Sequence, residues 1–181
     1  MGTRSLYGLA QQALPHGLSH RLECKHLLRD NGMDWNEVTG IDFDGPTTKM
    51  LLDRLIDGHL TEEQESELFL NLGREKSVPS AAYLALPILM TLPDALPART
   101  RLFALATACY IIAHTRIRVL TLPDEVKHFF SGRSRRQLAS RLLKTASDVD
   151  LERSDVIGLV LALLEIMIDS STADIVEKAL W

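Results

Sequence analysis

Histidine and cysteine side chains recur near the start of the chain, at His16, His20 and Cys24. On an α-helix, residues four apart share a face, so His20 and Cys24 together could supply two ligands to a zinc ion. Pro15 and Gly17 place His16 before the helix, however, and the sequence has no further His-rich or Cys-rich cluster to complete a four-ligand site. The sequence therefore predicts no metal site and no bound cofactor.

Two carboxylates stand close together in the sequence IDFDGPTT, at Asp42 and Asp44. Their D-x-D-G spacing resembles the nucleophile loop of haloacid-dehalogenase-like phosphatases, which place the first Asp at the end of a buried parallel strand. The residues EVTGI before Asp42 form no continuous apolar strand and no alternating β/α pattern follows, so nothing would hold Mg²⁺ and phosphate in line. The sequence has no Gly-rich phosphate loop, and neither His59 nor His114 has a recognisable nucleophile partner. We predict that the protein is not an enzyme.

The elements that must position any site are helices throughout. Pro79 and Pro97 open two long apolar segments, from 79 to about 92 and from 97 to about 115, at positions where the missing N–H needs no partner. Caps, glycines and apolar periodicity mark the other helices, at 5–14, 18–30, 47–56, 61–73, 123–130, 133–146, 151–169 and 172–180. No segment has the alternation of a strand. The sequence predicts an all-α protein of about ten helices.

The organisation along the chain is that of one domain. A length of 181 residues, with 46% apolar and 24% charged residues, is typical of a single globular core. We predict N-terminal helices over 1–30, an acidic loop over 31–46 and helical hairpins over 47–181. The hairpins 47–73, 78–116, 123–147 and 151–180 are compatible with a short HEAT-like solenoid and with a compact helical bundle.

The sequence also favours a cytoplasmic location. Two cysteines are too few for a disulfide framework, and the N-terminus lacks the apolar run and cleavage site of a secretory signal. The longest apolar run, 156–164, ends at Glu165, whereas a membrane span needs about 20 apolar residues. We predict a cytoplasmic protein that does not cross a membrane.

One stretch carries a resemblance to a known group of proteins. The sequence VPSAAYLALPILMTLP at 78–93, with Ala85, Leu86 and Pro87 as its ALP step, is followed by an apolar helix from Leu102. This pattern resembles the small HEAT-like immunity proteins encoded beside bacterial polymorphic toxins, and it covers about residues 50–118. The resemblance rests on packing residues and brings no catalytic motif. It implies a protein that works by binding and blocking a toxin.

Acidic side chains concentrate in the first part of the chain. Residues 1–75 carry a net charge of −6, while residues 76–181 carry +2. Such an acidic surface attracts a basic partner, for example a toxin that itself binds nucleic acid. An aromatic anchor ringed by charge is typical of an interface centre. The predicted partner-binding residues are Asp30, Asp34, Trp35, Glu37, Asp42, Phe43, Asp44, Glu62, Glu63 and Glu67. In the alternative interpretation Trp35 folds inward and the acids form a solvated surface.

A basic helix supports a different function. Between residues 99 and 144, ten basic side chains meet only two acids, and Arg133, Arg136 and Lys144 share one face of their helix with Arg141 at its edge. With 124–131 and a turn at Gly132 before it, this helix has the spacing of a helix-turn-helix. The acidic pI of about 5.9 argues against DNA binding. A DNA-binding regulator therefore remains the alternative to the toxin inhibitor, as does a structural adaptor.

Overall fold

The computed structural model describes residues 34–115, 122 and 124–167 of the chain. In these ranges the chain is helical, and its extended pairing is limited to two isolated bridges, Thr39 with Asp44 and Arg74 with Ser77. The all-α prediction is confirmed for this part of the protein. The helices predicted at 5–14, 18–30 and 172–180 lie outside the described residues. The helices present are α1 (Gly45–Asp57), α2 (Glu62–Leu72), α3 (Ser80–Met90), α4 (Ala98–His114), α5 (Asp124–Lys127), α6 (Gly132–Ala146) and α7 (Arg153–Met167), with 3-10 turns at Trp35–Glu37 and His128–Phe130.

The helix boundaries follow the capping chemistry that the sequence predicts. At the start of α2, the Thr61 hydroxyl accepts the Gln64 N–H and the Gln64 side chain accepts the Thr61 N–H, which is a capping box. Gly58 ends α1 with a left-handed backbone, φ 72°. Pro79 and Pro97 are the N-cap residues of α3 and α4. The helix predicted over 123–130 is instead divided into α5 and the 3-10 turn His128–Phe130.

Helix α4 is the central element of the described residues, since it packs against α2, α3, α6 and α7. Its sequence is apolar nearly all round, and a helix of that kind is stable only when other helices enclose it. Ala104, Leu105, Ala108, Ile111 and Ile112 are buried accordingly. Helix α3 is buried over 81–90. The two proline-opened helices predicted from sequence are therefore the middle of the core.

A buried asparagine joins the acidic loop to the helices. The Asn71 side chain in α2 is fully buried, and its amide oxygen accepts the N–H groups of Asp42 and Phe43 at 2.9 and 2.8 Å. Its amide nitrogen donates to the Thr48 hydroxyl of α1 at 2.6 Å. Its backbone carbonyl accepts the N–H of Ile41 at 3.0 Å. One residue thus satisfies the turn of the loop and links it to α1 and α2.

We expect Asn71→Ala to lower the free energy of unfolding by about 3 kcal/mol, because it leaves two part-buried loop amides without an acceptor and removes the buried hydrogen bond to Thr48. Urea unfolding followed by circular dichroism measures this loss. The matched control is Ser66→Ala, an exposed position of the same helix, which should change the stability by no more than about 0.5 kcal/mol. Equal stabilities for the two variants would contradict the structural role of Asn71.

Candidate functional site

Two of the predicted partner-binding acids also hold the acidic loop in place. The Asp34 carboxylate accepts the backbone N–H two residues later and caps the 3-10 turn, and the Asp44 carboxylate accepts the Thr47 N–H at 2.8 Å and caps α1. These hydrogen bonds from Thr47 lower the pKa of Asp44 below its ordinary value of 3.8. Both carboxylates stay exposed to solvent, so their capping role leaves them accessible to a partner.

A third acid, Asp42, faces the guanidinium of Arg74. Its two carboxylate oxygens lie 3.1 and 3.2 Å from the two terminal nitrogens of that arginine. Since both side chains are 44% exposed, this pair adds little stability, but it orients the loop against the end of α2. Glu37 is exposed in the 3-10 turn. Asp30 lies outside the described residues.

The aromatic residues of the loop point inward. Only 8% of the Trp35 surface is exposed, and Phe43 is half-buried against the same core. The backbone carbonyl of Trp35 lies so close to Gly45 that a Cβ there would come within 1.8 Å of it. This corrects the expectation of an exposed Trp35 anchor and agrees with the alternative interpretation. Burial of the large indole ring in the core is more favourable than its exposure to solvent.

The outward side of α2 carries what we call the acidic stripe, formed by Glu63, Glu67 and Leu70. The three residues share one face of the helix, and all are exposed, Leu70 to 42%. Glu62, at the start of the same helix, lies 3.8 Å from Arg99 with 85% of its side chain exposed. Sequence analysis missed Leu70 as the apolar member of this surface, although its spacing from Glu63 and Glu67 was visible.

The predicted basic helix is α6, and the structure brings its basic residues onto the surface. Arg133, Arg136 and Lys144 are exposed, while Arg141 is half-buried and donates to the backbone carbonyl of Met90. The turn expected at Gly132 is displaced by one residue, because Ser131 caps the helix and Gly132 begins it. The first helix of a helix-turn-helix is reduced to α5 and a 3-10 turn. DNA binding stays a prediction.

A groove runs along α4 between α2 and α7, which both pack on α4 but make no extensive contact with each other. Its volume is about 630 Å³, within the range of ligand pockets. Its apolar lining includes Phe69 of α2, Leu102, Ala106 and Tyr110 of α4 and Leu159 of α7. Sequence analysis did not predict this groove.

Two contacts fix α2 as one wall of the groove. The Glu62–Arg99 ion pair joins the starts of α2 and α4, and the Phe69 and Tyr110 rings meet edge to face, with centroids 5.3 Å apart, nearer the other end. The two helices therefore run in the same general direction. A Cβ at Gly73 would lie 2.3 Å from the Tyr110 ring, so a glycine is needed where that ring crosses the end of α2.

Helix α7 forms the opposite wall and also follows the direction of α4. Asp148, just before α7, lies 3.9 Å from Arg101 near the start of α4. At the other end, the His114 ring nitrogen Nε2 lies 3.1 Å from a Glu165 carboxylate oxygen, and both side chains are largely buried. The His114–Glu165 pair joins α4 to α7 and gives this end of the groove a polar character.

Among the described residues that line the groove, carboxylates outnumber cations. The carboxylates belong to Glu65, Glu75, Asp155 and Glu165, and the cations to Lys76 and Arg99. Burial against the groove raises the pKa of Glu65, an effect that the charge of Arg99 opposes. Tyr110 accepts the Lys76 N–H at 2.8 Å. The groove can therefore hold an apolar group flanked by positive charge.

Cys109 lies in α4 and is fully buried. Burial, and to a lesser extent the charge of Glu165, raises the pKa of its thiol to about 12. The thiolate is the reactive form of cysteine, so this thiol is inert at neutral pH. The residue acts as a small apolar side chain of the core.

Comparison with known protein families, with curated proteins and with solved structures finds no match. In the part of the chain that the structure describes, no helix is long and apolar enough to span a bilayer. Among the same residues, no three or more histidine, cysteine, aspartate or glutamate side chains are grouped so that they could hold a metal ion.

We expect Asp44→Asn to alter how stability depends on acid. Because the folded-state pKa of Asp44 is lowered, its carboxylate stabilises the protein above the ordinary pKa of 3.8, and this contribution disappears as the pH falls through the lowered value. Urea unfolding is measured between about pH 6 and about pH 2 for the wild-type protein and for Asp44→Asn. The free energies of unfolding of the two proteins should become more similar as the pH falls. A stability difference that is constant with pH would contradict the assignment.

We also expect the Cys109 thiol to resist modification in the folded protein. In a Cys24→Ser variant, which retains only Cys109, a thiol reagent at about pH 8 should react at least about a thousandfold more slowly than in the chain unfolded by guanidinium. The reaction rate is followed by the absorbance of the thiol that the reagent releases. Equal rates in the folded and the unfolded protein would show that Cys109 is not buried.

Proposed function

We propose that this protein is an inhibitor that binds a basic partner protein, and that it serves as an immunity protein against a bacterial toxin. The observation that carries the proposal is the acidic stripe, in which Glu63 and Glu67 accompany the exposed Leu70 on one face of α2. A surface that combines an exposed apolar side chain with side chains of one charge sign is suited to docking a partner of the opposite charge. The mechanism is occlusion of the toxin's active or substrate-binding face in the cytoplasm, without a cofactor.

The acidic loop extends the charge of the stripe. Asn71 holds the loop at Asp42, at the C-terminal end of α2, while Glu63 lies at the other end of the helix. Arg74 offsets the charge of Asp42, so the exposed acids Asp34, Glu37 and Asp44 supply the negative charge of the loop. Carboxylates on a rigid support raise the association rate with a basic partner. Because Asn71 fixes the loop before binding, the complex loses little conformational entropy there.

The contacts also support part of a HEAT-like arrangement. Helix α1 packs against α3 and α2 against α4, as in two stacked hairpins. However, Asp148 follows the end of α6 and lies beside Arg101 at the start of α4, so α6 is antiparallel to α4. Equivalent helices of a regular solenoid run parallel. We propose stacking for the first two hairpins and bundle packing for the remainder.

Charge reversal on the acidic stripe tests the proposed function. We expect the Glu63→Lys, Glu67→Lys double variant to lose a basic partner that the wild-type protein captures from its native cells, because two attractive charges become repulsive. Capture is compared by quantitative mass spectrometry at about 50 mM and about 300 mM salt, since exposed charges are screened at the higher concentration. The matched control reverses Asp94 and Asp150, two exposed acids outside the stripe.

The captured basic protein is then purified and its activity titrated with each variant. Stoichiometric inhibition by the wild-type and control proteins, with at least about tenfold weaker inhibition by the stripe variant, would support the proposal. If the stripe variant inhibits equally well, the partner docks elsewhere. Duplex DNA binding that is lost when Arg133, Arg136 and Lys144 are replaced by Ala would favour the DNA-binding regulator instead.

A further inference from the structure

We propose that the groove along α4 is a second docking site, and that its occupant is an amphipathic, positively charged α-helix of a partner protein. The groove is lined by the side of α2 that carries Glu65 and Phe69, away from the side that carries the acidic stripe. The inference therefore goes beyond the proposed function and does not depend on it. It rests on the shape of the groove and on the charges along its edges.

The groove has the dimensions of a helix-binding site. Its lining residues on α4 extend from Arg99 to His114, which corresponds to about 22 Å along the helix axis. Leu102, Ala106 and Tyr110 follow one another at intervals of four residues, and this is the spacing with which a helix contacts a partner helix. Among the described residues, α2 and α7 both pack on α4 without extensive contact between them, and the groove lies between these two helices.

The middle of the groove allows a close approach of another backbone. Gly158 and Ala162 of α7 lie one turn apart in the lining, to which α4 contributes the equally small Ala106. A Cβ added at Gly158 would meet nothing within 4 Å, so no neighbour in the described residues requires a glycine there. A glycine inside a helix reduces its stability, and its lack of a side chain leaves space for an incoming helix.

The charge of the edges selects the chemistry of the occupant. Glu65 lies near Arg99 at the start of α4, and Asp155 lies in the first turn of α7. Glu75 and Lys76 lie near Tyr110 towards the other end, where Glu165 is paired with His114. Arg99 is already offset by Glu62, which lies 3.8 Å from it. An apolar helical face with lysine or arginine on its flanks complements this arrangement, whereas an acidic helix would be repelled.

The probe for the test is a fluorescein-labelled synthetic peptide of about 18 residues, with leucines on one helical face and lysines elsewhere. Its binding to the full chain is measured by fluorescence anisotropy, beside a scrambled peptide of the same composition and a peptide with glutamate in place of lysine. We expect the lysine peptide to bind at least about tenfold more tightly than either control.

Two kinds of variant locate the binding. Gly158→Phe fills the groove and should weaken binding of the lysine peptide at least about tenfold. The control Val160→Phe adds the same ring at an exposed position outside the groove and should change the affinity less than about twofold. Should Gly158→Phe fail to fold, the Glu65→Lys, Asp155→Lys double variant tests the groove by reversing one charge on each of its two walls. The stripe variant Glu63→Lys, Glu67→Lys should bind the peptide as the wild type does, so failure of the stripe and failure of the groove are distinguishable.

Several results would overturn the inference. Unchanged peptide binding by Gly158→Phe and by the Glu65→Lys, Asp155→Lys variant would exclude the groove, as would equal affinity for the scrambled peptide. A wild-type dimer, detected by light scattering, that Gly158→Phe converts to a monomer would make a second copy of the chain the occupant. Absence of any peptide binding by the wild-type protein would mean that the groove does not receive such a helix.

Discussion

The burial of α4 is the constraint on which the rest of the structure depends. Its sequence offers apolar side chains on nearly every side, so it cannot remain in contact with water, and four helices pack against it. Two of them, α2 and α7, leave the groove between them. The same property of the sequence that builds the core therefore also creates the cavity in which we propose that a partner helix binds.

Local signals in the sequence were sufficient to find the helices. The Thr61–Gln64 capping box, the glycine at 58 and the prolines before α3 and α4 each act over a few residues, and the structure has helix boundaries within about two residues of those predicted there. The region 123–130 was less well predicted, since a 3-10 turn there resembles a continued helix in its periodicity. The groove could not be predicted, because periodicity does not show which side of an all-apolar helix its neighbours leave uncovered.

The acidic residues show why charge alone is a weak guide to a site. Asp34 and Asp44 were singled out for their charge, yet each also caps a helical turn. Asn71 carries no charge and was not singled out, although it determines where the acidic loop lies. Asn71 acts on residues far away in the sequence, and a single sequence does not reveal such pairings. Polar groups at a surface can thus be structural and accessible at the same time.

The attachment of α7 has a consequence for the dynamics of the protein. In the described residues, this helix buries Ile157 and Ile166, and its link to α4 through His114 and Glu165 joins residues 51 positions apart in the sequence. A contact between distant residues closes a long loop of chain, which costs conformational entropy and slows folding. Because α7 forms one wall, the groove exists only while α7 is docked on α4.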